Sequence, residues 1–542
     1  MPKPKITETL DRLSSKTAIK NTIYMLSIII FFAFILLPPI LGIIIKWGSI
    51  QDVLNQPELM SEALNAVAAS FAVAFFVSSI DVIAGVPMAW MITRGKSKWL
   101  NVLDTLSDIP FIVPTATLGY SLLLFWNKPG GLSSLFGTPF VSPGWLLVIL
   151  LHFTFSFPVV VRVMVGALLD YKREYEQAAR TLGAAPLTAA RTVTFPILKH
   201  SLIASFTLAF ARSLSETGAT MMVAGAFVHG PIFIKNHIGE AGPLVFVSFI
   251  LIALSSLIFV TIRLLGPKLK MPIRKVWPKA ERRLSSSMVK SSRNGITLLI
   301  FFVIVLVPSL FVAVPAFEAI FTGVLPEALG GVGVWRDYWQ SISLSYFVGI
   351  VVTLLNVVIG LPMAIIIARR KIGNGPSTVL DMLVNIPIIV PSVALGASLA
   401  IFWKENFAFM PEIWLLIFAH LAITYPYFVR AMSAAIERIS IELEEAAKTL
   451  GAKPLGVFRT IIFPLTKYSM FSGAIMVFTR SVSETGATLV VSSLVTAPVL
   501  LVNWVNDKVS TATLGMGCGF LILFSFIILL VLRLAVRGRR TY

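Results

Sequence analysis

The sequence predicts an all-α integral membrane protein of twelve transmembrane helices, arranged as two parallel six-helix repeats. Three observations predict it. Of the 542 residues, 56% are hydrophobic and only 13% are charged, roughly half the charged share of a soluble domain. Spread over a water-soluble surface, that composition would leave large apolar patches exposed. It excludes an ordinary soluble enzyme, a disordered protein and a nucleic-acid-binding domain. Apolar stretches long enough to cross a bilayer, about 20 residues each, recur along the chain. The second half of the sequence also repeats the first.

The apolar stretches fall near 22–45, 63–92, 106–126, 143–168, 198–224 and 243–265, and again near 296–322, 342–368, 382–403, 412–436, 466–495 and 513–536. Runs this long and uniformly apolar suit helices, and β-barrel alternation is absent. The first run, Thr22–Ile45, follows Lys3, Lys5, Arg12, Lys16 and Lys20. It is too long for a signal-peptide core and no small-residue cleavage site follows, so it reads as a retained first span.

Orientation follows from the charges between spans. The net charge of +19 collects in short segments between apolar runs, which is the pattern of cytoplasmic loops and not of nucleic-acid binding. The stretch 266–294 carries nine basic residues, Lys268, Lys270, Arg274 and Lys275 among them, against one acid, Glu281. Arg94, Lys96 and Lys98 follow the second span, Arg369, Arg370 and Lys371 follow the eighth, and Arg533, Arg537, Arg539 and Arg540 follow the last. The stretches 51–62 and 317–340 carry mostly Asp and Glu. Both termini and the central basic segment are therefore expected in the cytoplasm, in a multi-pass protein of a prokaryotic cell membrane. The lone Cys518 excludes an internal disulfide or a cysteine metal cluster, and no metal site is expected.

The repeat is gapless at its strongest. Residues 174–220 and 442–488 are identical at 25 of 47 positions. Upstream, Ile109–Pro114 matches Ile386–Pro391, and His152, Pro158 and Arg162 match His420, Pro426 and Arg430. Because the unit holds six spans, both copies keep one orientation. The expected division is a first half at 1–266, a basic cytoplasmic linker at 267–294 and a second half at 295–542.

The segment between spans four and five reads Glu176-Gln177-Ala178-Ala179, with Gly183 and Pro186 following; between spans ten and eleven stand Glu444-Glu445-Ala446-Ala447, Gly451 and Pro454. Alanine and glutamate favour a helix, the glycine suits its left-handed stop, and the proline suits the first position of a second helix. A short helical elbow of this kind makes a docking knob, with small alanines permitting close approach and glutamates offering charge to a basic groove.

These residues resemble the EAA motif in permease subunits of type I, binding-protein-dependent ABC importers. Glu445-Ala446-Ala447 with Gly451, Ile461 and Pro464 fits that pattern, whereas the first copy has Gln177 in place of the leading Glu. The resemblance covers nearly the whole chain and implies the MetI-like ABC permease fold. Fusion of two permease halves is similar to ferric-iron and thiamine permeases. By resemblance each elbow is a coupling helix seated in one ATP-hydrolysing subunit. The implied partners are two copies of a cytoplasmic ABC ATPase, an extracytoplasmic substrate-binding protein and membrane lipid, with no nucleic acid. No G-x-x-x-x-G-K-[ST] phosphate loop is present, so ATP and Mg belong to the partner subunits. This chain is expected to bind no cofactor and to be no enzyme.

The path through the membrane is expected near Arg212, Ser215, Glu216 and Thr217 in span five and Arg480, Ser483, Glu484 and Thr485 in span eleven. Ionisable residues inside a span are costly and face a cavity or a partner. Two readings stand. The motifs line the translocation path or its gate, or Arg212 pairs with Glu216, and Arg480 with Glu484, one turn apart to hold the halves together. Gly218 and Gly486 allow a local helix break. Sulfate and molybdate permeases carry a similar Arg-x-Leu-Gly-Glu-x-Gly-Ala stretch, with Ser215 and Ser483 standing here for its first glycine. Asp81 and Asn356, and likewise His152 and His420, read as interhelical hydrogen-bonding residues. The prolines of Ile-Pro-x-Ile-Val-Pro are expected to kink spans three and nine. The solute is expected to be ferric iron on the fusion of the halves, with molybdate, tungstate, sulfate, thiamine or phosphonate as alternatives. An ion-coupled carrier is the rival class.

Overall fold

The computed structural model describes residues 11–95, 97–128, 131–135, 137–268 and 278–536. Lys3, Lys5, Lys96, Lys270, Arg274, Lys275, Arg537, Arg539 and Arg540, used above for orientation, lie outside the described residues. Among the described residues the chain is helical throughout, without strands. Among the described residues nine helices are long and apolar enough to cross a membrane, or up to twelve if each of three sharply bent pairs is one span.

In the first half these are α1 (Thr17–Ile45), α2 (Pro57–Arg94), the bent pair α3 and α4 (Trp99–Phe111 and Thr115–Trp126), and α5 (Trp145–Asp170). The elbow helix α6 (Arg173–Thr181) follows, then the bent pair α7 and α8 (Pro186–Ile197 and Lys199–Ser215). Two short helices, α9 (Gly218–Val223) and α10 (Gly230–Asn236), lead into α11 (Ala241–Leu265). A small helix, α12 (Pro278–Leu284), joins the halves. The second half repeats the order with α13 (Ser287–Phe321), α14 (Val334–Ala368), α15 and α16 (Asn374–Ile389 and Ser392–Asn406) and α17 (Glu412–Glu437). It closes with α18 (Ile441–Thr449), α19 (Pro454–Val482), α20 (Gly486–Val491), α21 (Ala497–Asn506) and α22 (Thr511–Val536).

The expected kinks in spans three and nine are full breaks, each of 104°. Proline disfavours helix at the residue before it; Val113 before Pro114 and Val390 before Pro391 are accordingly extended. Every residue of α4 is buried. Spans five and eleven end earlier than expected, at Ser215 and Val482 rather than 224 and 495. The halves differ in one respect here: α7 and α8 meet at 75°, whereas α19 runs unbroken.

The halves are interlocked. The first helix of each packs on the other half. Ser27 of α1 donates to the Ile359 carbonyl of α14 at 3.0 Å, and Phe31 stacks on Tyr425 at 5.7 Å. Reciprocally, Ser121 of α4 donates to the Pro308 carbonyl of α13 at 2.6 Å and accepts from Val312 N at 2.9 Å. Large apolar side chains such as Phe75, Ile83, Leu257 and Val358 stand exposed along the spans, as a lipid-facing surface requires.

Candidate coupling elbows and translocation gate

Each elbow is built as its sequence dictates. Helix α6 closes through Ala184 N donating to the Ala179 carbonyl at 3.1 Å, with Gly183 at φ +84°; α18 closes through Ala452 N and the Ala447 carbonyl at 2.9 Å, with Gly451 at φ +86°. A residue with a Cβ is strained there. The chain then turns extended and re-enters helix at Pro186 or Pro454.

The carboxylates divide into two sets. Glu176 faces inward to Arg94 at 3.7 Å, and Glu444 to Arg369 at 2.7 Å, both pairs largely shielded from solvent. Arg369 also donates to the Ile439 carbonyl at 3.0 Å. The glutamates at this position are thus engaged in anchoring the elbow, contrary to their expected role as charge partners for an external groove. Gln177 and Glu445 occupy equivalent outward positions beside exposed Ala178 and Ala446, while Ala179 and Ala447 are half-buried. The outward acid is therefore present only in the second copy. Sequence reasoning missed the most exposed feature: Leu182 and Leu450, at the elbow tips, are 87% and 88% exposed. A leucine beside a helix-stopping glycine in both copies was the available signal.

A clamp reaches each elbow from outside its own half, from the linker at the first elbow and from the first half at the second. Leu187 N, in the first turn of α7, donates to Ser285 Oγ at 3.1 Å, and Arg191 of the same segment pairs with Glu281 of α12 at 2.6 Å. At the other elbow, Leu455 N donates to Ser14 Oγ at 3.2 Å. Amides in a helix's first turn have no partner within the helix, so a serine from a neighbouring segment satisfies one in each case.

Deeper in the bundle, the two interrupted segments between α8 and α9 and between α19 and α20 meet. A Cβ on Gly218 would lie 2.5 Å from Thr485 Cβ, and one on Gly486 would lie 2.8 Å from Thr217 Cβ. Ser392 donates to the Ser215 carbonyl and Thr115 to the Ser483 carbonyl, each across the halves at 3.3 Å. The two halves are in direct contact at this depth. Each break is held by its own carboxylate and histidine. Glu216 accepts from Ala219 N at 3.2 Å and Glu484 from Ala487 N at 3.0 Å. His152 bridges Ser213 at 2.8 Å and Thr220 at 2.9 Å; His420 bridges Ser481 and Thr488, both at 2.9 Å. Ser215 and Ser483 turn their hydroxyls back to the carbonyls of Arg212 and Arg480.

The arginines break this symmetry. Arg480 pairs with Glu484 at 2.6 Å, one turn away. Arg212 forms no such pair with Glu216; its guanidinium lies 5.4 Å from the Phe155 ring centre and its buried Nε has no hydrogen-bond partner. Asp81 accepts from Ser156, and Asn356 donates to Thr424 at 3.0 Å, consistent with packing hydrogen bonds. Among the described residues no group of three or more His, Cys, Asp or Glu is placed to hold a metal ion.

Comparison with protein families matches residues 81–271 and 360–540 to the family described as the binding-protein-dependent transport system inner membrane component. The sulfate transport system permease protein CysT of Salmonella typhimurium is 34% identical over 206 residues, covering 36% of this chain and 72% of that protein. The molybdenum transport system permease protein ModB of Escherichia coli is 34% identical over 173 residues, covering 31% of this chain and 73% of that protein.

Proposed function

The chain belongs to the binding-protein-dependent transport system inner membrane component family, and from that membership we propose that it supplies both transmembrane halves of an ATP-driven importer of a tetrahedral oxyanion. The ion-coupled carrier reading falls with the membership. The observation that carries the substrate class is Arg212, a guanidinium at the closed passage whose Nε has no partner while its twin is neutralised by Glu484. A guanidinium with a buried, unpartnered Nε and no carboxylate within ion-pair distance favours an anion beside it. The relatives named for sulfate and molybdenum support the same class. Ferric iron rested on the fusion of the halves alone.

In this reading the elbow side is cytoplasmic. Each elbow seats in one copy of a partner ATPase, which carries the ATP and Mg, and a binding protein delivers substrate to the opposite face. Closure of the ATPase dimer draws the elbows together. Each elbow continues into α7 and α8 or into α19, so the displacement reaches Gly218 and Gly486 and parts them. Alternation is biased at each step by the differential affinity of ATP and substrate for the two states.

The test is uptake of labelled sulfate, molybdate and ferric iron in cells with and without the gene, and with Arg212→Gln. Loss of oxyanion uptake in the deletion, reproduced by Arg212→Gln with the protein still in the membrane, is expected. Loss of iron uptake alone would overturn the substrate class and leave the importer assignment standing.

A further inference from the structure

The two copies of a third arginine are treated differently, and the difference opens a cavity. Arg162 of α5 is saturated: both carboxylate oxygens of Asp108 accept from it, Asp104 Oδ1 accepts at 2.9 Å and the Asp104 carbonyl at 2.5 Å. Its twin in α17, Arg430, has Asp381 at 3.8 Å in place of Asp104, and Asn385 where the first half has Asp108. Arg430 keeps 54% of its side chain exposed. A cavity of about 320 Å³ lies against it, lined also by His200, Asn385, Phe259 and Ile389.

Besides Ile262 and Ile388, the remaining wall is one face of α8: His200, Ile203, Ala204, Thr207, Leu208 and Ala211, the three- and four-residue spacing of a single helical stripe. That stripe runs about 16 Å from the elbow side to the residue before Arg212. Thr207 gives its hydroxyl to the Ile203 carbonyl and Asn385 gives its amide to the Asp381 carbonyl, so the polar groups of the lining left for a ligand are the Arg430 guanidinium and the His200 imidazole. Planar guanidinium donors suit a tetrahedral oxyanion.

We propose that this cavity is an inner oxyanion site, at which sulfate or molybdate rests on the elbow side of the closed gate with Arg430 as its principal ligand. The inference rests on the oxyanion-importer reading and adds a second station below Arg212. Substituting asparagine for the second carboxylate is what leaves Arg430 available. The phosphate of a lipid headgroup shares this chemistry and could reach the cavity along α11, so the source has to be distinguished.

The experiment measures binding of labelled sulfate, with molybdate as competitor, to the purified full chain in phosphatidylcholine nanodiscs without the ATPase. Retained phospholipid phosphorus is assayed on the same samples in detergent. Asn385→Asp restores the first-half arrangement and locks Arg430 between two carboxylates; Arg430→Gln removes the cation. Both are expected to weaken sulfate binding at least tenfold with unchanged thermal melting, and Asp104→Asn, outside the cavity lining, is expected to leave it intact. Wild-type affinity in a folded Asn385→Asp protein overturns the site. So does absent sulfate binding with a phospholipid retained by the wild type and lost in Asn385→Asp, which assigns the cavity to a headgroup. Either failure leaves cellular oxyanion uptake unaffected, so the importer reading is judged separately.

Discussion

At the scale of single residues, function is concentrated where the repeat exposes or withholds one side chain. Leu182 and Leu450 are almost fully exposed at the elbow tips, an arrangement that costs apolar hydration unless a partner covers it. Burying a leucine contributes about 1.5–3 kcal/mol. Replacing Leu450 with Asp is therefore expected to weaken capture of the partner ATPase about ten- to hundredfold in pull-downs from membranes, with transport falling accordingly. Unchanged capture would remove the tip leucines from the interface. Glu176 and Glu444 belong to a different category despite their place in the same motif. They brace the elbow against Arg94 and Arg369, and breaking such a shielded pair costs a few kcal/mol because one charge is left buried. Motif spacing gave both glutamates without separating the anchoring acid from the outward one, because that depends on what lies beneath the helix.

At the scale of elements, the proposed gate is two broken helices in mutual contact. Gly218 and Gly486 are required by close approach, since a Cβ on either falls well inside van der Waals distance of the opposing threonine. Gly218→Val is expected to wedge the halves apart and hold the passage open. The measurable result is ATP hydrolysis that no longer responds to the loaded binding protein in reconstituted complexes, while ATPase association persists. Normal stimulation would place the gate elsewhere. The break itself was legible as a glycine beside an ionisable residue. The helices do resume at those glycines, Gly218 and Gly486; what was not legible is that the spans stop at Ser215 and Val482, because apolar composition continues through 218–224 and hydropathy does not record a backbone turn. The turn is fixed by Glu216, which accepts from the amide of Ala219, and by His152, which ties Ser213 to Thr220 across it.

At the scale of the whole molecule, the fused halves form one interlocked body. Helices α1 and α13 each pack on the opposite half, Ser14 of the first half caps the helix after the second elbow, and Ser285 of the linker caps the helix after the first. Neither half covers its own surfaces, so each produced alone is expected to be degraded or aggregated. The two coexpressed as separate chains, divided within 269–277, are expected to copurify and restore uptake. Stable, separately purified halves would contradict the interlock. The crossing also gives a route by which motion at one elbow reaches both halves.

The sequence alone determined the all-helical membrane class, the two six-span copies, the elbows with their left-handed glycines and the broken-helix residues that meet between the halves. These follow from composition, periodicity and duplication, which are local or self-referential properties of the chain. Tertiary structure decided what the duplicates do differently: Arg480 is paired while Arg212 is not, and Arg162 is saturated while Arg430 faces a cavity. It also decided which half each first helix covers. The physical reason is that charge pairing and burial depend on neighbours distant in sequence, so near-identical motifs acquire different chemistry from the surfaces packed against them.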